Sequence, residues 1–275
     1  MTSYARIRVE PLAGALGAEI SGIDLAKPLD AEVVGEIQRA WLERQVLFFR
    51  DQPLSVDEHK TFARHFGKLH IHPVLHQMAD QGHPEIVVLE SDEKRPYIAD
   101  RWHSDVTFER EPPLGSILRA VAVPEVGGDT MWASMTAAWD ALSGPMQRAL
   151  DGMRATHSGA GFRKQATEGQ AEALARNEMT VHPLIRTHPE TGRKSIFVNS
   201  AFTKRIEGMK PRESETLLSF LYEHVASPEF TCRFRWRKDS IAMWDNRCTQ
   251  HRVVADNLNA YRRMERVTLI GDKVF

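Results

Sequence analysis

Short apolar runs recur along the chain, and they constrain its fold more than any other feature of the sequence. They are rich in β-branched and aromatic residues, as in Val46–Phe49 and Ile86–Leu89. Runs of this length, bounded by turn residues, are typical of buried strands. The same pattern predicts further strands at Leu114–Val123, Ser195–Val198, Phe230–Trp236, Ser240–Trp244 and Arg262–Ile270.

Helices are predicted near the N-terminus and as insertions between the strands. Asp30 can cap a first helix, and Ser55 with Glu58 forms a capping-box pattern before a second one that is expected to end at Gly67. Because helices and strands do not alternate regularly, a β-sandwich or barrel with added helices fits better than a series of βαβ units. A length of 275 residues fits a single domain over 1–275.

The composition argues against several classes of protein. Lys and Arg (36) nearly balance Asp and Glu (37), so the basic surplus of a nucleic-acid binder is missing. No apolar stretch approaches the ~18 residues of a membrane span, and the first residues lack the pattern of a secretory signal. Two cysteines are too few for a disulfide framework. We therefore expect a cytoplasmic protein that binds neither nucleic acid nor a membrane.

His103 and Asp105 are the first candidate metal ligands. Residues two apart on an extended chain point to the same side, so these two side chains project together. His251, far downstream after a predicted strand, would complete a set of two histidines and one carboxylate. Such a set occupies three positions of an octahedral Fe(II) and leaves three open. Cys248 is an alternative ligand, although a small buried side chain is the commoner role for such a cysteine.

Arg262 and Arg266 form a second candidate element. On a strand they share one face with Met264, Thr268 and Ile270. Two arginines on an otherwise apolar inward face need anionic partners, and a spacing of roughly 13 Å implies two separate anions. The alternative is an edge strand whose arginines face solvent.

The sequence Gly-Gly-Asp-Thr at 127–130 has glycines but neither of the phosphate-loop patterns. We interpret it as a tight turn that leaves Thr130 at the start of a strand. The Thr130 hydroxyl could then hydrogen-bond a carboxylate.

Two other functions would use some of the same residues. His70, His72 and His76 could form the metal cluster of a hydrolase, although such enzymes usually have alternating βα folds. A non-catalytic binding module would keep Arg266 but would not need the three candidate ligands together.

Four motifs of this chain, and their order along it, resemble those of the Fe(II)/2-oxoglutarate-dependent taurine dioxygenase family. They are Trp-His-Ser-Asp-Val-Thr-Phe at 102–108, Gly-Gly-Asp-Thr at 127–130, Trp-Asp-Asn-Arg-Cys-Thr-Gln-His at 244–251, and the pair Arg262 and Arg266. The resemblance runs nearly from end to end, beginning at Leu16–Gly22 and closing at Leu269–Lys273. This family includes dioxygenases of taurine and other sulfonates, of alkyl sulfates and of aryloxyalkanoates.

The resemblance implies a mainly β fold with helices (α+β), namely a double-stranded β-helix, or jelly roll, with N-terminal and inserted helices. It implies that Fe(II) binds to His103, Asp105 and His251, and that O2 is the oxidant. The distal carboxylate of 2-oxoglutarate would pair with Arg262 and Thr130. Further residues expected around a small anionic organic substrate are His72, Val106, Phe162, Phe202 and Arg266, the last of which would bind the substrate anion.

The reaction implied is hydroxylation of the carbon next to the anionic group of a taurine-like sulfonate, giving an aldehyde, sulfite, succinate and CO2. The same chemistry on an alkyl sulfate or an aryloxyalkanoate is the alternative. Taurine enzymes typically carry Tyr where this chain has Leu75 and Asn where it has Ala99, so a buried substrate ammonium would lack partners and a less polar anion fits better. We also expect a homodimer or homotetramer, and a mobile lid at 163–180.

Overall fold

The computed structural model describes residues 3–72, 75, 78, 81–94, 99–161, 179–257 and 259–275. Within these ranges the helices are α1 (Ala31–Arg44), α2 (Val56–Arg64), α3 (Met135–Asp140), α4 (Gly144–Leu150), α5 (Pro211–Val225) and a 3₁₀ helix at Pro228–Phe230. The strands are β1 (Arg8–Pro11), β2 (Ala18–Ser21), β3 (Val46–Phe49), β4 (Leu69–His70), β5 (Ile86–Ser91), β6 (Gly115–Ala122), β7 (Thr130–Ser134), β8 (Arg154–His157), β9 (Thr180–Pro183), β10 (Ile185–Thr187), β11 (Lys194–Ile196), β12 (Thr203–Ile206), β13 (Thr231–Phe234), β14 (Ile241–Asp245), β15 (Thr249–Val253) and β16 (Arg262–Leu269). The prediction of a mainly β chain with helices is confirmed. Across these same ranges, no helix has the length and apolar character needed to cross a membrane.

The largest sheet positions one half of the candidate site. In the described residues it has eight strands, in the order β1-β2-β3-β14-β6-β16-β4, with β5 also paired to β16. Strand β16 pairs with β6 on one side and with β5 and β4 on the other, so it lies in the interior of the sheet. The alternative of an edge strand with solvent-exposed arginines is therefore wrong.

Both faces of this sheet are buried, which explains why β3 is a continuous apolar run. Leu47 and Phe49 belong to the core on the helical side, together with Trp41 of α1 and Phe62 of α2. Val46 and Phe48 alternate with them and belong to the core on the opposite face.

The predicted helix caps are present. Asp30 accepts a hydrogen bond from the backbone of Val33 at the start of α1. Ser55 and Glu58 form both hydrogen bonds of the capping box before α2, and a cap of this kind stabilises a helix by about 1 kcal/mol. Helix α2 ends at Arg64, sooner than the predicted end at Gly67.

A second sheet, in the order β13-β7-β15, packs on the face of the large sheet opposite α1 and α2. Phe48 of the large sheet stacks on Phe234 at 4.1 Å between ring centroids, and it meets Trp132 edge-on at 5.2 Å. Trp132 also lies 5.7 Å from Trp244 of β14. These aromatic rings form the core that separates the two sheets.

One face of β16 is directed into this inter-sheet core. Met264 is a member of the core, and Arg262 and Arg266 share its face with exposed fractions of only 8% and 6%. The predicted common face is therefore confirmed over Arg262–Thr268. Ile270 lies beyond the last strand residue, Leu269, and is 46% exposed, so including it in this face was wrong.

The remaining strands form two small sheets, β12-β8-β9 and β10-β11. They pack with α3, α4 and α5 around a separate apolar cluster. The predicted lid at 163–180 lies outside the described residues except at its end, and Phe162 lies outside them too. Thr180 is the first residue of β9 and is buried, and the lid stays a prediction.

Candidate metal centre

His103, Asp105 and His251 converge at one end of the inter-sheet space. One ligand atom from each lies within 4.8 Å of those of the other two. His251 belongs to β15, and His103 joins the edge of that strand through an isolated β-bridge. The structure thus brings together the three residues that the sequence motifs singled out.

The donor set suits a divalent transition metal. Nδ1 of His103 donates to the carbonyl of Arg101 at 2.8 Å, which leaves Nε2 as the metal-binding nitrogen. Burial lowers the pKa of His103 and holds the pKa of His251 well below its usual range, so both imidazoles are neutral. Neutral imidazoles with a carboxylate are the protonation states that metal binding requires.

Asp105 is held in its ionised form. Burial opposes ionisation, but the charge of Arg266 and a hydrogen bond from Ser116 outweigh it, so the pKa of Asp105 lies well below its usual range. Arg266 Nη1 donates to Asp105 Oδ1 at 2.5 Å. Arg266, which we predict to bind the substrate anion, therefore lies directly beside the three candidate ligands.

The two residues predicted to bind 2-oxoglutarate come from the two facing sheets. Thr130 begins β7 and is paired with Val253 of β15, two residues beyond His251. Its Oγ1 accepts a hydrogen bond from Nε1 of Trp236 at 2.9 Å. An indole nitrogen only donates, so the hydroxyl proton of Thr130 is left to donate to another acceptor.

Arg262 lies against the glycine turn that precedes Thr130. Gly128 has φ +69°, a conformation that favours glycine, and a Cβ built on it would lie 3.6 Å from Cδ of Arg262. The turn at 127–130 therefore combines a left-handed backbone with a close approach to the arginine, which agrees with its interpretation as a tight turn.

An apolar wall adjoins His103. Val106 and Phe108 are buried and pack with Leu75 and Phe202. The Phe202 ring lies 6.0 Å from the His103 ring and 5.3 Å from Phe108. Val106 has φ +40°, a strained value for a β-branched residue, immediately after Asp105.

His72 lies beside this wall, and Ala99 is bonded to the strand that carries His251. His72 is buried, and its Nδ1 accepts a hydrogen bond from the backbone of Leu75 at 2.9 Å. The carbonyl of Ala99 accepts one from the backbone of Val253. Leu75 thus packs on this wall and Ala99 is bonded to the strand of His251, and neither supplies the polar side chain, Tyr or Asn, that taurine enzymes typically carry there.

Three residues of the site were missed by the sequence interpretation: Trp236, Ser116 and Asn246. Trp236 touches Thr130, and the other two touch Asp105. The available signals were a small polar residue within the apolar run of β6, and the asparagine inside the Trp-Asp-Asn-Arg motif. Neither signal specifies a partner without the fold.

A second group of possible ligands, His188, Asp245 and Cys248, does not suit a metal. Its atoms also lie within 4.8 Å of one another, but the Asp245 carboxylate accepts hydrogen bonds from His188 and from two side-chain nitrogens of Arg247. With the backbone N–H of Arg247, each oxygen of this carboxylate accepts two hydrogen bonds, so neither oxygen is left for a cation. Burial also keeps the pKa of the Cys248 thiol well above its usual value.

Two histidines of the hydrolase hypothesis, His70 and His72, have other partners. His70 contacts Thr268 Oγ1 at 3.1 Å and Glu109 at 3.2 Å. His72 contacts the backbone of Leu75, and His76 lies outside the described residues. His70 and His72 are thus not members of a metal-binding group among the residues that can be described.

Residues 8–268 match the family described as Taurine catabolism dioxygenase TauD, TfdA family. The chain belongs to this family. The match extends over both sheets and includes all three candidate ligands and both arginines of β16.

Relatives with different substrates are about equally similar to this family member. It is 36% identical to the alpha-ketoglutarate-dependent sulfate ester dioxygenase of Pseudomonas putida, over 96% of this chain and 89% of that one. It is 36% identical to the alpha-ketoglutarate-dependent 2,4-dichlorophenoxyacetate dioxygenase of Cupriavidus pinatubonensis, over 96% and 98%. The crystal structure of a taurine dioxygenase from Burkholderia xenovorans is 40% identical with a TM-score of 0.85, over 98% and 90%.

The chain is therefore an oxidoreductase that depends on Fe(II), 2-oxoglutarate (alpha-ketoglutarate) and O2. The predictions of enzyme class and cofactors are confirmed, and the hydrolase and non-catalytic hypotheses are wrong.

Proposed function

We propose that this dioxygenase hydroxylates the carbon next to the anionic group of a small organic sulfonate whose body is apolar. The product would release sulfite and leave an aldehyde, while 2-oxoglutarate becomes succinate and CO2. One observation carries the proposal: within the same group of candidate ligands, the buried guanidinium of Arg266 contacts Asp105 and the apolar wall at Phe202 lies beside His103.

In this proposal His103, Asp105 and His251 hold Fe(II), and each has the protonation state described above. When bound, the iron supplies oxidation of a C–H bond with O2 and 2-oxoglutarate, chemistry that the protein alone cannot perform. The chain positions the reactants around it. Arg262 and Thr130 would bind the distal carboxylate of 2-oxoglutarate.

Arg266 would bind the substrate sulfonate, since a guanidinium presents a planar fork of donors to an anion. The wall formed by Leu75, Val106, Phe108 and Phe202 would then contact the rest of the substrate. Burial of apolar surface contributes about 25 cal/mol per Å², whereas a buried ammonium without a partner is costly. An alkanesulfonate is therefore favoured over taurine itself.

A sulfate ester is the second candidate, because the same apolar wall and the same arginine suit an alkyl chain that ends in a sulfate. An aryloxyalkanoate uses the same anion contact and stays an alternative.

We also propose that the fold is a double-stranded β-helix. Antiparallel strands that are distant in sequence lie side by side in both packed sheets, which supports this proposal. The single domain over 1–275, the cytoplasmic location and the homodimer or homotetramer stay predictions.

The test is a comparison of substrates with the Fe(II)-loaded protein. Taurine, hexanesulfonate, hexyl sulfate and phenoxyacetate are supplied separately, and succinate is measured together with sulfite, sulfate or phenol. We expect hexanesulfonate to release sulfite at least about 10-fold faster than taurine, because one unpaired buried charge costs more than 1.4 kcal/mol.

The control compares two histidine variants under the same conditions. His103→Ala should abolish substrate-dependent succinate, whereas His224→Gln, at the end of α5 and bonded to the carbonyl of Ala138, should keep it. Faster turnover of hexyl sulfate or phenoxyacetate than of hexanesulfonate would overturn the substrate proposal. Full activity in His103→Ala would overturn the metal site.

A further inference from the structure

A chain of buried hydrogen bonds ends on the candidate ligand Asp105. Trp244 Nε1 donates to Asn246 Oδ1 at 2.9 Å, and Asn246 Nδ2 donates to Ser116 Oγ at 3.1 Å. Ser116 Oγ then donates to Asp105 Oδ2 at 2.7 Å. Ser116 is fully buried and Asn246 is 2% exposed, so water does not compete for these bonds.

The direction of each bond follows from the chemistry of the groups. An indole nitrogen can only donate, so the side-chain oxygen of Asn246 must face Trp244. The amide nitrogen of Asn246 therefore faces Ser116, and it too can only donate. Ser116 must accept with its oxygen, and its one proton is left for Asp105. The backbone N–H of Asp105, which donates to Asn246 Oδ1 at 3.3 Å, fixes the same amide orientation.

The sheet holds this chain rigidly. Ser116 on β6 is paired with Trp244 on β14 and with Thr268 on β16, in the interior of the large sheet. The Trp244 ring is packed on Trp132 and lies 4.7 Å from the His251 ring. The hydrogen-bond chain thus begins in the aromatic core between the sheets and ends at the metal ligands.

We infer that Ser116 and Asn246 are positioning residues that make Asp105 a ligand through Oδ1 alone. This inference rests on the proposed function, since it takes Asp105 as a metal ligand. Oδ2 is occupied by the Ser116 proton, and Oδ1 is the oxygen that lies 4.0 Å from Nε2 of His251 and in contact with Arg266.

The consequence concerns the open positions on the metal. Two histidines and a carboxylate that each supply one atom leave three positions free. A carboxylate that bound through both oxygens would take one of them. By donating to Oδ2, Ser116 would therefore keep that oxygen from the metal and leave the position to the cosubstrates, and it also stabilises the negative charge of the buried carboxylate.

The test measures Mn(II) binding to the metal-free protein by the loss of the free-ion EPR signal, without turnover. Ser116→Ala should bind Mn(II) about 10- to 100-fold more weakly, the usual effect of removing a residue that orients a metal ligand. Asn246→Ala should weaken binding less, because Ser116 keeps its hydroxyl but loses its fixed direction. The Asn246→Ala variant also provides a second test if Ser116→Ala does not fold.

Ser195→Ala is the matched control, since Ser195 is fully buried and bonded to Thr136 at 2.9 Å on strand β11. It should lower the melting temperature and leave Mn(II) affinity unchanged. Wild-type affinity in both Ser116→Ala and Asn246→Ala, with affinity lost in Asp105→Ala, would overturn the positioning role and leave the proposed function standing. Wild-type affinity in Asp105→Ala would instead overturn the metal site.

Discussion

The backbones of His103 and His251 are hydrogen-bonded to each other in both directions. His251 N donates to His103 O at 2.8 Å, and His103 N donates to His251 O at 3.1 Å. This bridge sets the two imidazole rings 4.2 Å apart between centroids. Because backbone bonds join the two candidate ligands, the spacing of their backbones does not depend on the length or rotamer of any other side chain.

Trp236 should contribute to the affinity for 2-oxoglutarate without touching it. Trp236→Phe removes the donor that directs the Thr130 hydroxyl, and one hydrogen bond contributes about 0.5–1.5 kcal/mol. We expect the KM for 2-oxoglutarate to rise about 2- to 10-fold, with Mn(II) affinity unchanged. Steady-state kinetics at saturating substrate measures this.

Trp139→Phe is the comparison for that variant, since Trp139 is also a buried indole but packs in the cluster around α3, α4 and α5. Its KM for 2-oxoglutarate should equal that of the wild type. Equal KM values for the two variants would show that Trp236 has no role in cosubstrate binding.

Arg266→Ala should affect both stability and substrate binding. It leaves the buried carboxylate of Asp105 without its cation, and breaking a buried pair in this way costs about 3–5 kcal/mol. Urea unfolding of the metal-free protein should show this loss, and the KM for the substrate sulfonate should rise at least about 10-fold.

Arg119→Ala separates these two effects. Arg119 forms a comparably buried pair with Glu265, at 2.6 Å, and Glu265 alternates along β16 with the face that carries Arg266. We expect a smaller loss of stability, because Glu265 keeps Arg263 at 3.3 Å, and no change in substrate KM. If Arg119→Ala raised the substrate KM as much as Arg266→Ala, the effect would be structural and the anion contact would be wrong.

Leu75 and Ala99 should set the preference against a polar substrate. The double variant Leu75→Tyr/Ala99→Asn restores the polar groups that taurine enzymes typically carry at these positions. We expect kcat/KM for taurine relative to hexanesulfonate to rise about 10-fold, equivalent to about 1.4 kcal/mol. An unchanged ratio would mean that these two residues do not select the substrate.

His59 should make the protein less stable in acid. It is fully buried on α2, where burial and the charge of Arg119 lower its pKa from 6.5 to about 3. Between those two values the unfolded chain binds a proton that the folded chain does not, so the free energy of unfolding decreases as the pH falls. The slope is about 1.4 kcal/mol per pH unit for one such group.

Urea unfolding between pH 7.5 and 5 compares the wild type with His59→Gln and His59→Leu. Both variants lack the titrating ring, so both should lose that part of the slope, whatever their stability at pH 7.5. A wild-type slope in both would show that His59 does not cause the acid sensitivity.

Much of the site could be predicted from local pattern. The His-x-Asp spacing, the downstream His251, and the shared face of Arg262 and Arg266 all depend on residues close in the chain or on order along it. The caps at Asp30 and Ser55 were also predictable, because capping is a contact over three residues. Helix α2 ends before the predicted residue, and Ile270 lies outside β16. The ends of helices and strands depend on the packing of neighbouring residues, which the local pattern does not contain.

The contacts of the same residues could not be predicted in this way. Nothing in the sequence distinguishes Ser116 and Asn246 from other serines and asparagines. Their contact arises only because β6 and β14 are paired in the sheet. Arg266 and Asp105 are distant in the chain, and only the packing of the second sheet on the first makes them an ion pair.

The apolar runs, the motif order and the family membership were determined by the sequence itself, since periodicity and spacing are properties of the chain. The tertiary structure alone decided which donor contacts each oxygen of Asp105, which donor directs Thr130, and that the inward face of β16 is buried. These three features depend on hydrogen bonds between distant strands, and the directions of those bonds are set only when the strands are in register.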